Sequence, residues 1–166
     1  MKKFLCVFLA LITLVLVGCG SGKEVYSGEG YKFAYDPDKW ELIYGFDDGS
    51  GAVFKSKDFG NAIFHVFRVV SEENVSLSER LESSKEIICG LNDHIWISGE
   101  ILDIDGREWY REEYQTQIGE NKNKTVDFFT DNGTYAYSVG FSSDIDSFDK
   151  GIKDFEEIFD SLKIAE

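Results

Sequence analysis

Cysteine and histidine are scarce in this chain of 166 residues, with three of the first and two of the second. His65 and His94 lie far apart and each is set among strand residues, a poor basis for a metal or catalytic pair. They read as ordinary sheet residues. No G-x-S-x-G elbow is present to carry a nucleophilic serine. Cys89 follows "EII" near the end of a helical stretch and reads as a buried, inert thiol, because a reactive cysteine needs electropositive surroundings. Positive charge is also in short supply: 17 Lys and Arg against 31 Asp and Glu give a formal net charge of −14. So acidic a surface repels phosphate backbones, and nucleic acid is not an expected partner. Long apolar runs are missing too. The stretch from Phe4 to Val17 covers 14 residues, short of the roughly 20 that a transmembrane helix needs.

What that stretch does offer is order. Lys2 and Lys3 precede it, and Gly18 and Cys19 close it, the arrangement of a secretory signal peptide. Leu16, Val17 and Gly18 before Cys19 resemble the bacterial lipobox. The resemblance implies that the Cys19 sulfur receives diacylglycerol, that the bond before it is cut, and that Cys19 opens the mature chain. Residues 1–18 are thus expected to be a signal peptide, residues 19–29 a flexible tether rich in glycine, serine and charge, and residues 30–166 a single domain. Losing residues 1–18 removes two lysines and takes the net charge from −14 to −16. Acyl chains such as palmitate, not a basic patch, must then hold the protein on its membrane, at the extracytoplasmic face of a bacterial cell. Cys89 is left as the only free thiol, so no intramolecular disulfide is expected and the domain must stand on its packed core.

From Gly30 the pattern becomes that of strands. Tyr31, Phe33 and Tyr35 alternate, Trp40, Leu42 and Tyr44 alternate again after the "DPDK" turn, and "GAVFKSK" and "NAIFHVFRVV" supply two further strands. The period then changes: Leu77, Leu81, Ser84, Ile88 and Leu91 form a helical stripe, with Ser76 and Glu79 spaced as a capping box and Gly90 at the helix end. A two-residue turn at Asp105-Gly106 predicts that Ile104 faces Arg107, Leu102 Trp109, Ile101 Tyr110, Glu100 Arg111 and Ile97 Tyr114. The same treatment of Asn132-Gly133 puts Phe128 opposite Tyr137, Val126 opposite Val139 and Asp127 opposite Ser138. Phe148, Ile152, Phe155, Phe159 and Leu162 then mark a closing helix, with Asp144, Asp146 and Asp149 at its N-terminus. The expected class is α+β, an antiparallel sheet flanked by helices.

The aromatic alternation followed by "DPDKW", the mid-chain helix, the long hairpins and the last helix running into "FEEIFDSLKI" together resemble the PsbP-like lipoproteins over residues 30–164. The resemblance implies the α/β/α sandwich of the PsbP fold, whose members include photosystem accessory proteins, a nuclear import factor that binds a small GTPase, and many bacterial lipoproteins. It carries no functional residue over to this chain.

Two further sets of residues stand as candidates. The predicted hairpin register sends Trp96, Leu102, Trp109 and Arg111 to the side opposite Ile97, Ile101, Tyr110 and Tyr114. Trp96, Trp109 and Arg111 would form a recognition patch unless a helix covers them. The aspartates of "LDIDG" and "SSDIDSFDKG" hint at calcium, although neither matches the calcium-loop spacing, and a hairpin turn and a helix cap account for them. The expectation is a membrane-anchored, non-enzymatic binding or accessory module without a cofactor, taking an envelope protein or a small ligand as partner. The alternatives are an extracytoplasmic enzyme and a weak calcium-binding protein.

Overall fold

The computed structural model describes residues 22–71 and 75–165. Strands β1 (Glu24–Gly28), β2 (Tyr31–Tyr35), β3 (Trp40–Gly45), β4 (Gly51–Ser56) and β5 (Ile63–Val70) lead to helix α1 (Leu77–Gly90). Strands β6 (His94–Ile104), β7 (Arg107–Ile118), β8 (Asn121–Asp131) and β9 (Tyr135–Asp144) lead to α2 (Ile145–Ser161) and a short β10 (Lys163–Ile164). The main sheet has seven antiparallel strands in the order β3-β4-β5-β9-β8-β7-β6, and a small sheet runs β1-β2-β10. The α+β class is as expected. Among the described residues no helix is long and apolar enough to cross a membrane, and the proposed signal peptide with Cys19 lies outside them.

One boundary moves. Residues 24–28, expected in the tether, form β1, which pairs with β2 along its whole length from Glu24↔Tyr35 to Gly28↔Tyr31. Its composition hides it because a two-stranded ladder is held by backbone hydrogen bonds, and only Tyr26 carries a ring inward, to stack 5.4 Å from Phe33.

The β6–β7 turn is the expected two-residue one. Asp105 and Gly106 both have positive φ, 56° and 77°, as a type I′ turn requires. The register follows from Ile104↔Arg107 to Glu100↔Arg111 and then shifts at a bulge between Trp96 and Ser98, so that Trp96, not Ile97, faces Tyr114. A bulge reverses which side later residues occupy. Trp96 therefore turns toward α1, and Gly99 makes room for it: a Cβ there would lie 2.5 Å from the Trp96 indole and 2.8 Å from Leu81.

The β8–β9 turn is longer than expected. Asn132 Oδ1 accepts the amides of Thr134 and Tyr135 at 3.1 and 2.8 Å, and Gly133 alone takes a positive φ, which spreads the turn over three residues. Phe128 consequently faces Val139, Val126 faces Phe141 and Asp127 faces Gly140. The register slips by two from the expected one, so every side chain keeps its face.

Those faces have different covers. On one, α2 and the small sheet enclose an aromatic core. Phe54 and Phe64 stack at 4.6 Å, Phe33 meets both edge-on, and Phe141 stacks on Phe155. Phe148, Gly151, Phe155 and Ile158 are the buried residues of α2. Asp144 is its N-cap, but its carboxylate accepts from Asn61 instead of a helix amide. On the other face α1 lies against β6, β7 and β8 and buries only Leu81 and Ile88. Its capping box forms as expected, with Ser76 Oγ accepting from the Glu79 amide and the Glu79 carboxylate accepting from the Ser76 amide. Cys89 is exposed, contrary to expectation, because it lies one position off the Leu81–Ile88 stripe.

Candidate functional site

The bulge parts Trp96 from the other two residues of the expected recognition patch, Trp109 and Arg111. Trp109 is only 5% exposed, with its ring 5.2 Å from Phe159 of α2, so it belongs to the core. Trp96 lies on the opposite face, across the bulge. Arg111 is tied to Glu113 at 2.7 Å and to Glu100 at 3.6 Å, and Lys124 shares Glu113. Helix α2 thus covers Trp109, while the Arg111 side chain stays 25% exposed within its ion-pair cluster. His94 sits at the sheet edge, 2.7 Å from Asp93.

His65 has a different setting. Ladder pairing aligns His65 (β5), Gly140 (β9), Asp127 (β8), Glu112 (β7) and Gly99 (β6) in one row across the sheet on the α1 side. Gly140 is what allows the row to fill: a Cβ there would stand 1.7 Å from Asp127 Oδ1. Asp127 is 6% and Glu112 3% exposed. Tyr114 donates its hydroxyl to Asp127 Oδ2 at 3.2 Å, whereas Asp127 Oδ1 and Glu112 Oε2 have no hydrogen-bond donor among the described residues.

Burial drives the electrostatics. The Asp127 pKa is pushed up to about 7, by loss of water first and by the neighbouring Glu112 charge second, against the Tyr114 hydrogen bond. Glu112 is raised by burial and partly offset by a hydrogen bond from Ser84 of α1. Burial lowers His65 to about 4, so its imidazole is neutral at pH 7. The His65–Asp127 approach of 3.5 Å is thus a contact with a neutral ring and not an ion pair. Burial also raises Tyr110 and Tyr114, which keeps both phenols protonated.

Ser138, His65 and Asp127 match a catalytic triad in residue type, and the geometry differs from one. Ser138 Oγ lies 3.3 Å from His65 Nε2 and Asp127 Oδ1 lies 3.5 Å from the same nitrogen. A triad needs the serine and the carboxylate on opposite ring nitrogens.

Beside this row, between α1 and strands β5 and β9, runs a groove of about 390 Å³. Phe67, Val69, Leu77, Ile87, Tyr110 and Phe129 are among its walls, and the last two stack at 4.3 Å to make its floor. Ser84 and Ser138 line it as well. Toward its other end stands Arg80, 3.9 Å from Asp131. The volume falls in the range of small-molecule pockets. Neither row nor groove could be read from the sequence, since both depend on strand order. Among the described residues no group of His, Cys, Asp and Glu is assembled as a metal site. Asp103 of the "LDIDG" segment accepts the Gly106 amide within its own turn.

No family model and no curated protein matches the sequence. Solved structures do match. Cyanobacterial PsbP (CyanoP) from Synechocystis superposes with a TM-score of 0.63 at 20% identity, over 89% of this chain and 95% of that one. A Pseudomonas aeruginosa protein of unknown function, described as a putative regulator, gives 0.63 at 12% identity over 87% and 98%. LpqN of Mycobacterium tuberculosis, described as involved in cell envelope biogenesis, gives 0.60 at 10% identity over 89% and 88%. At these identities the likeness is one of fold.

Proposed function

On this PsbP-like fold, we propose that the chain is a bacterial lipoprotein, attached through Cys19 to the extracytoplasmic face of a membrane, whose domain is a non-enzymatic binding or accessory module. The observation that carries the binding role is the apolar groove between α1 and strands β5 and β9. A concavity with stacked rings as its floor suits reversible occupation by an apolar group. The placement of serine and aspartate on one nitrogen of His65 argues against nucleophilic catalysis. Mycobacterial LpqN, which shares the fold and is described as involved in cell envelope biogenesis, is in keeping with an envelope role.

Two measurements test this reading. In cells, Cys19→Ala should move the protein from the membrane to the soluble fraction and abolish incorporation of labelled palmitate; continued membrane retention with no label would overturn the anchor. For the groove, the neutral dye Nile red should bind with blue-shifted emission, and Ser83→Trp, which adds a ring from the exposed side of α1, should weaken it by about tenfold. Unchanged dye binding in that variant would place the site elsewhere.

A further inference from the structure

The row beside the groove has an unbalanced charge. Two carboxyls are adjacent, Glu112 and Asp127 paired across β7 and β8, and each keeps one buried oxygen without a donor among the described residues. Leaving such acceptors unmet costs free energy, and an ionised buried carboxylate needs a partner more than a neutral one does. Among the described residues, the titratable and charged groups facing the row are His65 from β5, Tyr110 and Tyr114 from β7, and Arg80 from α1. Burial holds the imidazole neutral, the phenols are uncharged, and the Arg80 guanidinium is directed to Asp131, 3.9 Å away, toward the far end of the groove. Strand β9 contributes Ser138 and Gly140, neither of them charged. Among the described residues, His65 is the one basic side chain within ion-pair distance of either carboxyl, and it is neutral; a bound cation would balance the row.

Resting on the binding role above, we propose that the groove takes a single-chain cationic amphiphile, its apolar chain along Phe67, Val69, Tyr110 and Phe129 and its ammonium head at Ser84 and Ser138, in front of Asp127 and Glu112. Ser84 and Ser138 line the groove and connect it to the row, Ser138 through His65 and Ser84 through Glu112. Their hydroxyls accept from the ammonium, and the carboxyls behind them supply the attraction. The net charge of −14 adds a long-range preference for cations over anions.

Competition against Nile red tests the charge preference separately from the groove itself, because the dye is neutral. The chain without residues 1–21 suits the experiment, since the core and the residues packed on it lie within Tyr26–Ile164. Decylammonium, decyl sulfate and decanol are titrated below their micelle concentrations. At about pH 8.5, where Asp127 is ionised, decylammonium should displace the dye at a concentration about tenfold lower than decyl sulfate, and the margin should shrink at about pH 5.5. Asp127→Asn with Glu112→Gln should abolish the margin while Nile red still binds. Equal displacement by both charged chains, or a margin independent of pH, overturns the proposal. So does retention of decylammonium binding in Ser83→Trp, which would show the cation on the outer acidic surface. If the double variant fails to fold, the pH dependence of the unaltered chain decides alone. Loss of dye binding altogether would instead refute the groove.

Discussion

Gly140 owes its identity to the carboxylate of a neighbouring strand, not to its own backbone. Asp127 Oδ1 occupies the place of the missing Cβ, so Gly140→Ala must displace a buried side chain from its Tyr114 hydrogen bond. We expect a loss of about 2–4 kcal/mol in denaturant unfolding. In the double variant with Asp127→Ala the two losses should be markedly less than additive, and strict additivity would show that the alanine acts elsewhere. The pH profile tests the same row. The folded Asp127 pKa of about 7 lies above its ordinary 3.8, so the folded state keeps a proton that the unfolded chain releases, and this contribution falls as pH rises from about 4 to 7. For His65 the folded value of about 4 lies below 6.5. The unfolded chain then holds the extra proton, and the contribution rises over about pH 4 to 6.5. Each slope approaches 1.4 kcal/mol per pH unit at most, with opposite sign. Relative to the unaltered protein, Asp127→Asn should therefore make stability climb more steeply from about pH 4.5 to 6.5, and His65→Gln should make it climb less or fall. Urea midpoints across that range read both.

At the level of elements the two helices are unequal partners of the sheet. Helix α2 drives Phe148, Phe155 and Ile158 into the core, while α1 holds on with Leu81, Ile88 and its capping box. Native-state hydrogen exchange should show α1 amides opening well below the global unfolding free energy and α2 amides only near it. Ser76→Ala should lower the α1 value by about 1 kcal/mol, and equal protection of both helices would contradict this account. Trp109→Ala, which empties a space against Phe159, should cost about 3–5 kcal/mol. The elements were legible where local chemistry decides them. Asp105-Gly106 can adopt two positive φ values, so the near half of that hairpin follows from the sequence, and the capping box announces α1 by spacing alone. The bulge beyond Trp96 was not legible, because it answers to an indole lying over Gly99 in contact with Leu81. At Asn132 the side chain captures two amides and lengthens the turn, which a dipeptide pattern does not register. Strand β1 lacked an apolar alternation. The carboxyl row is invisible in principle at this level: its members stand at positions 65, 99, 112, 127 and 140, and only the strand order brings them into line.

For the whole molecule, the early start of β1 has a geometric effect. From Cys19 to Glu24 the chain spans at most about 17 Å. Glu24 lies at the Tyr35 and Lys39 end of the domain, where Lys23 pairs with Glu157 and Lys39 with Asp154. Strand β1 then runs away from that end, to where Glu29 donates to Gly49 and Gly30 lies beside Tyr137 and Arg68. Val69 and Ala136 of the groove are at this second end. If Cys19 carries acyl chains, as proposed, the Lys39 end of the domain is the one held near the membrane. A fluorophore at position 38 should be quenched by headgroup-borne quenchers far more than one at position 133. Under that proposed anchor, Val69 and Ala136 of the groove stand at the end remote from the bilayer, so that whatever fills the groove would be met on the side away from the membrane.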